Sequence, residues 1–290
     1  MFTEEPSQQQ TTWLPEEEHA QPPAIPTAAP VQPPAKPEWW AAWIDVGIAV
    51  AAWIVSVIFL LFIPVIYALP YMIYRIVKTG APSPEALASD KMLIFFSVAA
   101  ILPTHLLTFV LVWAIVSYAG RRPFWKNIEF DWPPNSSHAM TIVVSVGLAI
   151  VLFSLAFLIT SLYGERKTDL DLMIESSIYT RIATAFVAVV TAPLVEELIY
   201  RGLLYKALEK AAGVAVAIGV VSLLFAGVHV FQYRNNLAVI AVITLLSITL
   251  TVARAVSGKV LPAFIIHLVF NGIQSVLIVL SGFISKDILK

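Results

Sequence analysis

Glu196 and Glu197 stand side by side, with Arg201 a few positions on, inside TAPLVEELIYRGLL, a stretch otherwise apolar enough to cross a membrane. An ionisable side chain at bilayer depth costs roughly 3 kcal/mol or more unless it is paired or faces water, so this cluster marks a functional site. Two further apolar stretches carry chemistry-bearing groups at helical spacing: Phe225 with His229, and His267 with Asn271. Residues four apart share a helix face, so three spans each present one polar or polar-plus-aromatic face. Glu197 can pair with Arg201 along its own helix, whereas Glu196 points about 100° away, free to meet the histidines of other helices. That division predicts that Glu196 reacts and Glu197 is held. Pro193 frees a backbone carbonyl and can kink the span or admit water, which hydrolysis within a bilayer requires. Glu196 and Asn271 fall within about two turns of the middle of their spans, and His229 and His267 within about three, so convergence is expected.

The elements that must position these groups follow from composition. Of 290 residues, 59% are hydrophobic and only 13% charged, against about 25% charged in soluble domains. Apolar stretches long enough to cross about 30 Å of hydrocarbon recur at 41–72, 92–118, 139–163, 181–208, 212–233, 236–253 and 260–283. The expectation is an all-α polytopic membrane bundle of seven helices enclosing a polar cavity. An eighth element arises if Pro64 and Pro70 break the long first stretch. The net charge of −1 gives no basic excess for nucleic acid, and the absence of cysteine removes disulfides, thiolate metal sites and cysteine nucleophiles together. Lys and Arg are nearly balanced across the two sets of loops, with Arg254 counted among the loop charges, so they fix no orientation. No internal duplication of the kind found in inverted-repeat transporters is visible.

Residues 1–38, rich in Pro, Gln, Ala and Glu, read as a disordered, partly polyproline II tail. Residues 39–163 read as N-terminal transmembrane helices and 164–290 as the catalytic core. The loop RRPFWKNIEFDWPP has the mixed basic and aromatic pattern of an interfacial anchor, with nothing that suggests chemistry. His105, beside Pro103, is expected to be a hydrogen-bonding link between helices rather than a reactive group. His19 and His138 fall in the tail and at a loop edge, and Tyr200 and Gly202 are assigned to packing.

The order EELIYR, FAGVH, HLVFN resembles the EExxxR, FxxxH and HxxxN signature of the CAAX protease and bacteriocin-processing family, intramembrane peptidases related to the type II CAAX prenyl endopeptidases. The likeness covers roughly 181–275. It implies a membrane-embedded endopeptidase in which Glu196 and His229 activate a water while His267 and Asn271 stabilise the oxyanion of a scissile peptide, with Glu197, Arg201 and Phe225 in support. It equally allows Glu196, His229 and His267 to ligate a divalent metal such as Zn2+, and the sequence does not choose between the two. The implied partners are the lipid bilayer and a membrane protein or lipidated peptide as substrate, in a multi-pass protein expected at the cell membrane. Two other classes stay open: a proton-coupled transporter using the same groups as a relay, and a noncatalytic membrane partner of the kind found among the family's immunity members.

Overall fold

The computed structural model describes residues 39–164 and 166–287, together with Thr3. The expected disordered tail over 1–38, His19 included, lies outside the described residues apart from Thr3. Seven long helices make the body, and among the described residues there is no β-strand. They are α1 (Trp39–Thr79), α2 (Lys91–Ser117), α3 (His138–Tyr163), α4 (Ile178–Ala212), α5 (Val214–Tyr233), α6 (Leu237–Ser257) and α7 (Val260–Asp287). All but α5 are long and apolar enough to cross a membrane, and α5 contributes a shorter apolar stretch, Val214–Val230. The protein is a multi-pass integral membrane protein, and the large apolar side chains left exposed, such as Leu61, Val143 and Leu223, face lipid.

α1 runs unbroken through Pro64 and Pro70, so the eighth element does not form. At 1.5 Å per residue it is about 60 Å long, twice the hydrocarbon thickness, and must tilt or project beyond it. α2 turns at Ala100, between helical segments Lys91–Ala99 and Ile101–Ser117. Asp90 caps its start by accepting hydrogen bonds from the Met92 and Leu93 amides.

α4 is the central element. Its first half packs on α2 and α7, and its second half on α1 and α5. Two wide π-helical turns interrupt it, Val187–Thr191 and Leu198–Leu204, one on each side of the α-helical segment Ala192–Glu197 that carries both glutamates. Gly213, at φ +88°, supplies the one-residue turn from α4 into α5, a conformation that side chains with a Cβ rarely adopt. α5 pairs closely with α6, and α3 with α7.

The loop between α2 and α3 does more than anchor. Ile128 is fully buried, and a Cβ placed on Gly202 of α4 would meet its Cγ1 at 2.5 Å and its Cδ1 at 2.8 Å. Only glycine at 202 admits that side chain, which gives the packing role expected of Gly202 its physical cause. Glu129 binds Arg254 of α6, pairs with Lys206 of α4 at 3.1 Å, and accepts the Val260 amide on its carbonyl at 3.0 Å. Arg254 is therefore a buried residue of the bundle and not a loop charge: its Nε donates to the Arg201 carbonyl at 3.2 Å. At the opposite end the short helix Asp169–Ser176, closed by a reciprocal capping box between Thr168 and Asp171, lies at the cavity described next.

Candidate active site

A cavity of about 600 Å³ opens within the bundle, and Glu196, His229, His267 and Asn271 all line it. The groups singled out by spacing come from α4, α5 and α7 and meet in one space. Phe225 lines it too, its ring centroid 4.8 Å from that of His229 and 6.0 Å from that of His267. Apolar walls are supplied by Val57 and Leu60 of α1, Phe153 and Phe157 of α3, and Leu170 and Met173 of the short helix.

Glu197 and Arg201 are sealed from solvent. Arg201 Nη1 donates to Glu197 Oε1 at 2.9 Å, Nη2 to both the carbonyl and the hydroxyl of Ser247 at 3.0 Å, and Nε to Thr251 Oγ1 at 3.3 Å. Its guanidinium also lies 4.7 Å above the Phe225 ring. A charge this deep is tolerable because its donors are matched by acceptors on two helices. The expected intrahelical pair is present.

Glu197 does more than hold Arg201. Its Oε1 also accepts from Nδ1 of His267 at 2.8 Å, while the other ring nitrogen, Nε2, stands 3.8 Å from Oε2 of Glu196. Helical geometry assigned the histidines to Glu196 alone; the structure lets one imidazole bridge the two carboxylates. Spacing along one sequence carries no signal for that contact.

His229 Nδ1 donates to the Phe225 carbonyl at 2.7 Å. This leaves Nε2 with a free lone pair, an acceptor on the cavity wall. Glu196 is partly exposed, its side chain 23% accessible, so the carboxylate is open to a water molecule. Asn271 Nδ2 donates to the Ala188 carbonyl at 2.9 Å. The cause lies in the first wide turn, where the Ala192 amide bonds back to Val187. In that register the next donor, the one Ala188 needs, belongs to Pro193, which has no N–H. Asn271 fills the vacancy with one amide hydrogen and keeps the other.

Three cavity residues escaped the motif reading. His105 of α2 lines it and bonds through Nδ1 to Thr191 Oγ1 at 2.7 Å. Tyr200, whose hydroxyl accepts from Trp53 Nε1 at 3.1 Å, and Tyr233 also line it. Their positions depend on which helix sits opposite, which local spacing does not encode.

Among the described residues no three His, Cys, Asp or Glu side chains stand together as a set able to hold a metal ion. His267 commits only Nδ1 to Glu197, and the steps considered below use the protein's own groups.

No curated protein and no solved structure matches the chain. A family model does: type II CAAX prenyl endopeptidase Rce1-like, over residues 178–273. That interval runs from the first residue of α4 into the second turn beyond His267 and takes in each of the three motifs. Through residues 178–273 the chain is similar to the type II CAAX prenyl endopeptidase Rce1-like family.

Proposed function

We propose that this protein is an intramembrane endopeptidase of the CAAX type, hydrolysing a peptide bond near the membrane-proximal end of a protein or lipidated peptide. One observation carries the reading: a carboxylate open to water, two imidazoles and an amide, from three separate helices, line one cavity inside the membrane-spanning body. The Rce1-like domain match supports it independently.

The geometry supports the following sequence. A water held between Glu196 and His229 Nε2 gives a proton to the Glu196 carboxylate, and the hydroxide oxygen bonds to the scissile carbonyl carbon. Negative charge moves to the carbonyl oxygen. Asn271 has one amide hydrogen left to donate there, and His267 adds an N–H from Nε2 when its ring carries both protons, with Glu197 accepting at Nδ1. The tetrahedral carbon then expels the amine, the C–N bond breaks, and Glu196 returns its proton to the leaving nitrogen. Glu197 keeps the imidazole of His267 in one orientation, and Arg201 keeps Glu197.

Proteomics of membranes from cells carrying the wild type, Glu196→Gln or His229→Ala tests the reading. Precursors uncleaved in both variants and cleaved in the wild type are the expected result. Identical profiles in all three remove the endopeptidase, and a defect in solute or proton flux replaces it with transport.

A further inference from the structure

The cavity holds a third imidazole that the scheme above does not use. His105 sits on α2, across the space from α5 and α7, and its Nδ1 is fixed to Thr191 Oγ1 at 2.7 Å. The hydroxyl of Thr191 spends its own proton on the Val187 carbonyl at 3.3 Å. A hydroxyl that donates forward must accept from behind, so Nδ1 carries the ring proton. Nε2 is then a bare acceptor, with no hydrogen-bond partner among the described residues, on a residue that lines the cavity. A helix-to-helix link needs only the first nitrogen. The second is left over on the cavity lining.

Thr191 precedes Glu196 by five residues on α4, a rise of about 7 Å along the helix. An extended peptide advances about 3.3 Å per residue. A strand threaded past Glu196 therefore brings a backbone amide to the level of His105 about two residues from the scissile bond. Such an amide, stripped of water on entry, needs an acceptor, because a buried N–H without one is costly.

We propose that His105 is a substrate-binding residue of this cavity, accepting a backbone N–H of the bound peptide on Nε2 about two residues from the bond cleaved. The proposal rests on the endopeptidase reading and adds to it a register for the substrate. His105→Asn is the discriminating variant. Its amide N–H falls where Nδ1–H stands, keeping the link to Thr191, and nothing remains at the place of Nε2. His105→Ala removes both.

The experiment compares membranes of cells carrying the wild type, Glu196→Gln, His105→Asn and His105→Ala, with abundance of each protein measured alongside. The expected result is His105→Asn at wild-type abundance with the same precursors accumulating as in Glu196→Gln. On a synthetic peptide copied from such a precursor, KM should rise about tenfold with kcat changed by less than about threefold, the scale of one hydrogen bond in a water-poor site. If Glu196→Gln accumulates precursors and His105→Asn does not, the endopeptidase stands and His105 is only a helix link. If neither accumulates any, both proposals fall together. A drop in kcat at unchanged KM also overturns this one, because it places His105 among the groups that act on the transition state and not among those that hold substrate.

Discussion

Nδ1 of His267 lies 2.8 Å from Oε1 of Glu197, a contact between residues 70 positions apart that turns a helix-bound carboxylate into the support of a cavity-lining imidazole. Arg201 shares the same oxygen. Glu197 thus fixes one group on its own helix and one on α7, while Glu196 keeps its carboxylate open to the cavity.

Replacing Glu196 by Gln should abolish activity without loss of protein. The side chain is partly exposed and makes no hydrogen bond among the described residues, approaching His267 Nε2 only to 3.8 Å, so folding owes it little. Loss of a general base lowers turnover by roughly 10²–10⁴-fold. Thermal unfolding of the detergent-solubilised variant at the wild-type midpoint, with precursor cleavage lost, is the expected outcome. A lowered midpoint counts against this division of roles.

Glu197→Gln and Arg201→Met should each fail at folding first. Either change leaves a buried partner without its counter-charge, at a cost of about 3–5 kcal/mol. Membrane abundance should fall in both single variants and recover in the double variant, which stays inactive because His267 has lost its carboxylate. Normal abundance of the single variants contradicts the argument.

Asn271→Ala should destabilise the bundle by about 1–3 kcal/mol, because the Ala188 carbonyl loses its donor. Adding Pro193→Ala returns an N–H to the turn. The double variant should regain stability and remain inactive. Recovery of cleavage as well would show that Asn271 serves the backbone alone.

Gly202→Ala forces a Cβ against Ile128 and should cost about 1–3 kcal/mol. Ile128→Ala in the same chain makes room, and the pair should be closer to wild type than Gly202→Ala alone, measured by unfolding midpoint. No difference between the two would mean that the loop yields freely.

Much of this was legible in one chain. The seven apolar stretches became seven helices with ends moved by up to seven residues, because apolar length is a strong signal. His229, His267 and Asn271 reached one cavity with their spacing of four fixing a face, and Glu196 reached it by pointing away from the Glu197–Arg201 face. Several features were not readable. The wide turns around the glutamates leave no mark on hydrophobic periodicity, yet they decide why Asn271 turns to Ala188. The bridge from His267 to Glu197, the arrival of His105 at the cavity and the burial of Arg254 against Glu129 are contacts between distant segments, settled by packing. Arg254 looked like a loop charge because it lies near the end of its span, and only its partner, on a loop with Glu129 at φ +60°, explains its place inside.

The two wide turns of α4 have a mechanical consequence. Each holds surplus backbone relative to its neighbours, and a bulge that migrates along a helix turns each residue it passes by about 100° about the axis. Ala192–Glu197 is the stretch between them. The acidic pair thus rides on a short spindle with a bearing at either end, in a rod otherwise clamped by four neighbours.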